Sequence, residues 1–525
     1  MTTTTPFIQC KRAAICYQAD PLCLYQALNA HSRHNLLLES AEVTTKANLK
    51  SLLLCDSALE IRCQGYQLEF TALSDNGQQL LPLIAEFFTR PAQMAKLPSS
   101  ASSSNKLIVT LSPPVTPMDE DARLVASSPL DGLRFFIAEL KHYCLDAQSK
   151  AALFLGGVLA YDLIATTEVL PNVPTGANHC PDYLFYLAEQ LIVIDHQTQS
   201  AELQSFGFSN TPSIAASIKD RQQALCAIAN DYHPALFGQA QTADVSVNVS
   251  DEQFCQQVDA LKEHIVAGDI FQVVPSRSFT LPCANPIGAY RALRTTNPSP
   301  YMFFFQAPDF CLFGASPESA LKYQASSNTV EVYPIAGTRP RGKDDNGQID
   351  ADLDSRIELE LRLDKKELAE HLMLVDLARN DIARISQAGT RKVAELLKVD
   401  RYSHVMHLVS RVTGQLQHQL DALHAYQACM NMGTLVGAPK IRAAQLIREV
   451  EQGRRGSYGG AVGYLNGQGD MDTCIVIRSA FVSQGLAHIQ AGAGVVFDSD
   501  PQAETTETRQ KAQAVINAVQ QGGGL

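Results

Sequence analysis

The chain has 525 residues, 46% hydrophobic and 18% charged, with a formal net charge of -12. That length exceeds a typical single core and predicts at least two domains, while the composition excludes the disordered and fibrous classes. Lys and Arg form no dense run on this acidic chain and no apolar stretch reaches the roughly 20 residues of a spanning helix, so neither nucleic acid nor a membrane is expected as a partner.

The N-terminus, MTTTTPFIQCKR, lacks the basic-then-apolar order of a secretory signal, which predicts a cytoplasmic protein. Thirteen cysteines, scattered singly with no C-x-x-C pair, fit reduced thiols. Strands are expected at Leu36 to Leu38 and Leu52 to Leu54. Leu59, Ile61 and Cys63, then Tyr66, Leu68 and Phe70, alternate on either side of Gln64-Gly65 as a hairpin would. Leu97 to Asn105 is Ser-rich and reads as a surface loop. Leu133, Phe136, Ile137 and Leu140 recur at helical spacing. The apolar run Ala151 to Ala165, broken by Gly156, Gly157 and Asp162, reads as a buried strand, and an amphipathic helix is expected from about Ile214 to Ile228.

Residues 237–249 are polar and small without helical period, and they are read as a linker between an N-terminal domain, 1–240, and a C-terminal domain, 250–521. Ser250 opens a capping box closed by Gln253, and the helix that follows buries Phe254, Val258, Leu261 and Ile265 before stopping at Gly268. Ile270 to Phe279 reads as a strand. Strands and helices then mix without strict alternation, which predicts an α+β fold, sheets stacked in a sandwich with helices outside.

Two E-x-x-E spacings stand far apart in sequence, Glu367 with Glu370 and Glu504 with Glu507, each in a helical context. Residues three apart share a helix face, so two such helices meeting would offer oxygen ligands to a hard cation; either pair taken alone reads as solvated glutamates. Gly492-Ala493-Gly494, on an expected strand, removes side chains where a carboxylate could approach backbone N–H groups, and Gly337 to Gly342 is a second backbone-exposing loop with two cations. Both read equally as turns and close sheet packing. Arg478 lies in the strand-like run Thr473 to Ala480, where a guanidinium needs an anionic partner, either a substrate carboxylate or a structural glutamate. His407 is a candidate general base or a core histidine. No G-x-S-x-G, G-x-x-x-x-G-K-[ST] or strand-borne G-x-G-x-x-G occurs, so hydrolase, NTPase and dinucleotide chemistries lack support.

Taken together, DIFQVVPSR (269–277), Ser316-Pro317-Glu318, PIAGTRPRG (334–342), ELAEHLMLVDLARND (367–381), GSYGGAVGY and AGAGVVFDSD resemble the chorismate-utilising enzymes, in the family's order and over essentially all of 250–520. The N-terminal part, with LLLES (36–40), resembles the regulatory domain of the family's anthranilate-forming members. Relatives that activate water carry a lysine where this chain has Gln272, and relatives that attack the ring with a lysine carry it where this chain has Ala336. The resemblance therefore implies ammonia as the nucleophile and anthranilate and pyruvate as products, by way of aminodeoxyisochorismate.

It further implies Glu370 and Glu507 as Mg²⁺ ligands with Glu367 and Glu504 acting through water, Glu318 as the acid for the departing hydroxyl, and His407 as the base of the second step. Gly337, Thr338, Thr434, Tyr458, Arg478, Gly492, Ala493 and Gly494 are implied around chorismate, with Thr434 and Gln272 beside the reacting groups. Ser40, Pro300, Tyr301 and Met302 are implied to bind tryptophan as a feedback inhibitor. No G-x-C-x-G segment suits a glutaminase nucleophile, so a separate glutamine amidotransferase subunit is the expected ammonia source. An enzyme that keeps the enolpyruvyl group, and a catalytically silent tryptophan-binding subunit, are the alternatives.

Overall fold

The computed structural model describes all residues except 1–6, 30–31, 42–47, 90–94, 97–104, 114–118, 232–237, 345–346, 403–404 and 525. The Ser-rich loop expected over Leu97 to Asn105 therefore lies, but for Asn105, outside the described residues, as does the first residue of the 237–249 segment.

The expected hairpin forms between Asn48–Gln64 and Gln67–Ala72, with Gly65 in the left-handed region at φ 59. Asn48–Gln64, 17 residues long, is bulged around Asp56 and Ser57, where it bends along its 13-residue partner Tyr183–Asp195. Bulges let one strand serve two sheets. The first half of Asn48–Gln64 pairs with Asn35–Ala41, and from there one antiparallel sheet continues through Tyr301–Gln306, Cys311–Ser316, Ser479–Ser483, Leu486–Gly492 and Ser276–Pro282. The first half of Tyr183–Asp195 pairs with Phe154–Leu159, and a second sheet runs on through Ala461–Asn466, Met471–Ile475, Ser319–Gln324, Thr329–Val332 and Val405–Gln415. The fold is α+β, with stacked antiparallel sheets and helices on the outside.

Apolar side chains on both faces of the strands follow from that layering. In Tyr301–Gln306, Phe303 and Phe305 join the core between the sheets, while Met302 and Phe304 join a second core under the outer helices. The helix Pro501–Gly522 closes that second core with Ala512, Val515, Ile516, Ala518 and Val519, and Lys365–Ile385 adds Val375, Ala378, Ile382 and Ile385 to the first.

The capping box at Ser250 forms, with Gln253 N donating to the Ser250 hydroxyl and Ser250 N to the Gln253 amide oxygen, and opens Asp251–Val266. The helices Pro212–Asn230 and, over 131–143, a succession of α, π and 3-10 turns match the helical spacings, and the buried run is the strand Phe154–Leu159 followed by a 3-10 turn.

Four local readings change. Ile270 to Phe279 is two strands, Gln272–Val273 and Ser276–Pro282, because Pro275 has no N–H for a ladder between them. Thr473 to Ala480 is also broken: Met471–Ile475 ends before Arg478, which sits at φ 49, and Ser479–Ser483 begins in the other sheet. The strand Leu486–Gly492 stops short of Ala493 and Gly494. Gly337 to Gly342 is largely strand, Ile335–Pro340, with a bulge at Gly337 whose φ of 84 requires glycine.

The segments on either side of 237–249 share both sheets. Ser40 pairs with Tyr301, and Gly157 with Gly463. A Cβ on Gly463 would lie 2.1 Å from the Asp472 carbonyl oxygen, and one on Gly157 2.3 Å from that of Leu184, so neither backbone can move aside. Gly463→Ala is expected to cost about 1–3 kcal/mol of stability by overpacking. Denaturant unfolding followed by far-UV circular dichroism checks this, and an unchanged midpoint would contradict the close strand spacing.

Candidate active site

Both E-x-x-E pairs lie in the first two turns of capped helices. Asp364 accepts from the N–H groups of Lys366 and Glu367 to start Lys365–Ile385, and Asp500 accepts from Ala503 N, with Pro501 in the first turn, to start Pro501–Gly522. A helix N-terminus favours negative charge, so both helices present carboxylates where their own dipoles tolerate them.

The two ends approach each other. Burial raises the Glu370 carboxyl, and the charges of Glu367 and Glu507 push the same way. Burial raises Glu504 likewise, with Glu507 adding to it. Basic neighbours hold the outer members: Arg339 donates to Glu367 at 2.7 Å, and Lys511 lies 2.6 Å from Glu507. With Glu367 and Glu507 drawn to these cations, no group of three or more His, Cys, Asp or Glu among the described residues closes into a metal cage. Mg²⁺ does not need one: it takes one or two protein carboxylates and completes its shell with water and substrate oxygens. Mutually repelling carboxylates in an open arrangement fit it.

Glu318, on the turn between Cys311–Ser316 and Ser319–Gln324, is 7% exposed. Burial pushes its carboxyl up to about 8, against the hydroxyl of Thr434, which donates to it at 2.9 Å, and the charge of Lys511. It is an acid that keeps its proton at neutral pH. His407, on Val405–Gln415, has the opposite bias: burial, then the Arg478 charge, pushes it down to about 4. Its Nδ1 lies 2.8 Å from the Thr338 hydroxyl, its pairing partner across the sheet, and Tyr402 stacks edge-on at 5.1 Å. Neutral near pH 7, it is free to accept a proton.

Gln272 joins the carboxylates to the glycine run. Its Nε2 donates to Glu370 at 2.7 Å, while its Oε1 is buried and has no hydrogen-bond partner among the described residues. A Cβ on Gly494 would stand 2.9 Å from that Nε2 and 3.4 Å from Glu370 Oε1, and one on Gly492 3.1 Å from the Tyr458 hydroxyl. One Arg478 N–H donates to the Lys511 carbonyl, but among the described residues no carboxylate ion-pairs with Arg478. Glu507 acts on it only through charge, so the structural-glutamate reading lacks an ion pair and a half-buried cation is left beside the site. Ala493 differs from its neighbours: it is fully buried and its N–H donates to the Pro275 carbonyl.

The family model for chorismate binding enzymes matches residues 103–517. The chain belongs to the chorismate binding enzyme family. It is 59% identical over 505 residues to "Anthranilate synthase component 1" of Vibrio cholerae, covering 96% of this chain and 94% of that one, and 52% identical over 528 residues to the protein so named in Escherichia coli, covering 99% and 98%. Among solved structures, anthranilate synthase component I from Streptococcus pneumoniae aligns with a TM-score of 0.68 at 29% identity, over 89% of this chain and 92% of that one. The menaquinone-specific isochorismate synthase of Escherichia coli aligns at 0.69 over 99% and 96%, and at 17% identity that likeness is one of fold.

For a member of this family, sequence reasoning missed the residues that hold the site from behind. Arg339 and Arg341 are not free cations: the first pairs with Asp364 as well as Glu367, the second with Asp354. Arg455, 2% exposed, donates to Glu451, to the carbonyl of Leu435 beside Thr434, and to the carbonyl of Val274 near Gln272. Its guanidinium also lies over the rings of Tyr161 and Tyr458 at 4.7 and 5.6 Å. No local signal flags it, since charged residues are ordinarily exposed and Gly-Arg-Arg-Gly has the composition of a surface turn. Ser40 and Tyr301 are directly opposite in adjacent strands, with Met302 next to Tyr301 and Pro300 preceding it.

Removing Arg455 would leave Glu451 buried without its charge partner. Arg455→Met is expected to destabilise the fold by about 3–5 kcal/mol, checked by urea unfolding; a variant as stable as the parent would show the pair to be dispensable.

Proposed function

We propose that this chain is the chorismate-converting subunit of an anthranilate synthase, using Mg²⁺ and ammonia to make anthranilate and pyruvate for tryptophan biosynthesis. The observation that carries the reading is the opposed bias of two groups that both feel the Lys511 charge: Glu318 retains its proton while His407 lacks one. A site that must protonate a departing hydroxyl and then remove a proton from carbon needs that pair. The identities of 50–59% over nearly the whole chain to relatives named anthranilate synthase component 1 support the same reading.

Arg478, Tyr458 and the backbone at Gly492 and Gly494 would orient chorismate, with the guanidinium on a carboxylate. Glu370 and Glu507 would hold Mg²⁺, Glu367 and Glu504 through water; when bound, the ion neutralises the ring carboxylate and draws electrons from the adjacent double bond. The buried, unpartnered Oε1 of Gln272 suits an N–H donor, and an amide cannot deprotonate water at this pH, which supports ammonia as nucleophile. As nitrogen adds to the ring, the hydroxyl leaves with the Glu318 proton as water. His407 then takes the proton from the aminated carbon, the enolpyruvyl carbon–oxygen bond breaks, pyruvate departs and the ring becomes aromatic.

A glutamine amidotransferase subunit would supply ammonia. Residues 1–240 would form the regulatory part and 250–521 the catalytic part, with tryptophan bound by Ser40, Pro300, Tyr301 and Met302. The absence of any membrane-spanning helix among the described residues is compatible with a cytoplasmic setting.

With chorismate, Mg²⁺ and an ammonium salt, the purified chain is expected to yield fluorescent anthranilate and equimolar pyruvate. An amine that keeps its enolpyruvyl group would sink the anthranilate assignment, and no amine would sink the whole. kcat/KM, corrected for the fraction of free ammonia, is expected to fall above about 8 as Glu318 loses its proton, and on the acid side as the raised carboxyls of Glu370 and Glu504 and then, near about 4, His407 gain theirs. A profile centred elsewhere would reassign the acid or the base. Ser40→Phe is expected to raise the tryptophan concentration for half-inhibition by about tenfold or more, equivalent to about 1.4 kcal/mol; unchanged inhibition would remove Ser40 from the inhibitor site.

A further inference from the structure

The helix Lys365–Ile385 carries Glu367 and Glu370, but those side chains do not determine where the helix itself sits. Next to Glu370, and one helical turn beyond Glu367, is His371, which is 0% exposed. Its Nδ1 is 3.3 Å from the carbonyl oxygen of Ala336, and its Nε2 is 2.7 Å from the hydroxyl of Ser410. A carbonyl only accepts, so Nδ1 carries the ring proton. The Ser410 oxygen in turn accepts from Leu397 N at 3.0 Å, where the strand Lys392–Arg401 bulges and Leu397 takes a φ of 55. With that oxygen accepting, its own proton goes to Nε2. Every hydrogen-bonding atom of the imidazole is therefore engaged, in one tautomer and one orientation.

The three elements so joined are those that carry the chemistry. Ala336 precedes Gly337, where a Cβ would approach Glu367 Oε2 to 3.2 Å, and Thr338, which contacts His407. Ser410 lies three residues beyond His407 on the same strand, and its own N–H donates to the Pro334 carbonyl. Sliding or rotating the carboxylate helix against the His407 strand would break at least one of these bonds in a site closed to water. Displacements of about 1 Å suffice to cost a hundredfold in a reacting site.

We propose that His371 is a positioning residue: by fixing the helix to the Ala336 and Ser410 strands it sets where Glu367 and Glu370 offer their oxygens to a divalent cation. This rests on the reading above that those glutamates hold Mg²⁺. His371→Phe keeps the ring volume and removes both hydrogen bonds, whereas His371→Asn retains a donor near the Ala336 carbonyl. Binding of Mn²⁺ to the full chain, followed by electron paramagnetic resonance, reads affinity without turnover. The Mg²⁺ concentration giving half-maximal anthranilate formation is read alongside.

For His371→Phe the Mn²⁺ dissociation constant and the half-maximal Mg²⁺ concentration are both expected to rise by about tenfold, with most of kcat returning at saturating Mg²⁺; His371→Asn is expected to recover part of the loss. A merely structural role would lower kcat at every Mg²⁺ concentration and leave Mn²⁺ affinity unchanged, and that result overturns the proposal. Should His371→Phe fail to fold, Ser410→Ala and His371→Asn, shown folded by circular dichroism, decide in its place: Mn²⁺ affinity equal to the parent's in both overturns it, and a weakened affinity supports it. A parent chain that binds Mn²⁺ but forms no anthranilate contradicts the functional reading alone, because the Mn²⁺ comparison still judges His371.

Discussion

The buried ion pair between Arg455 and Glu451 is the constraint on which the rest of the site depends. An isolated guanidinium in a core is expensive, and this one is tolerated because all its directions are used: two bonds to Glu451, two to main-chain carbonyls, and two aromatic rings. Glu451 is equally engaged, since Ser276 donates to it from both N and Oγ. Through these bonds one pair fixes the turn bearing Thr434, the short strand bearing Gln272, the ring of Tyr458 and, through the pairing of Ser276 with Gly492, the start of the glycine run. A pair of this kind adds little net stability over an apolar substitute, but it admits one geometry. A site built from several separate elements benefits from that single geometry more than from added stability.

Electrostatics in front of that scaffold are arranged in the opposite sense. Glu370 and Glu504 are raised by burial and by neighbouring carboxylates, so the site is short of positive charge at its centre, while Arg339 and Lys511 attend only its edges. Lys511 is shared: it pairs with Glu507, donates to the Gly492 carbonyl, opposes the rise of Glu318 and contributes to the fall of His407. Any cation that binds between the glutamates competes with Lys511 for Glu507. Occupancy of the carboxylate pairs and the protonation of Glu318 and His407 are thus coupled through one ammonium group.

What was legible in the sequence was what depends on neighbours along the chain. The E-x-x-E pairs, the capping box at Ser250 and the hairpin at Gly65 are local patterns, and all three form. Gln272 and Ala336 could be read because their positions within family motifs say which lysine is missing. Arg478 was half legible: its burial implied an anionic partner, but the break that places it at φ 49 comes from two sheets diverging at that point, and no window of sequence records that. The arginines of TRPRG read as free because their acidic partners, Asp354, Asp364 and Glu367, lie 13 to 28 residues on. Arg455 and His371 escaped for a different reason, although Glu451 is only four residues from Arg455. Their partners are mostly carbonyls, and carbonyls have no sequence signature.

The division at 237–249 has to be weighed against the sheets that cross it. Ser40, Tyr301 and Ser316 occupy one row across three adjacent strands, and the Ser316 hydroxyl lies within hydrogen-bond reach of both the N–H and the carbonyl of Glu318. The first residue of that row belongs to the N-terminal segment and the last is two residues from the acid. A ligand seated at Ser40 and Tyr301 therefore needs no large domain motion to be felt at Glu318; it needs only a preference for one spacing of the row over another. Packed strands have few alternative spacings, because a shift by one residue would turn Phe303 and Phe305 out of one core and into the other. The available change is a small rigid adjustment at the end of the row, where Tyr301 also reaches Asp472 across the sheet corner. Inhibition by such a route would act on the placement and proton of Glu318 first, and on the two glutamate-bearing helices only through Lys511.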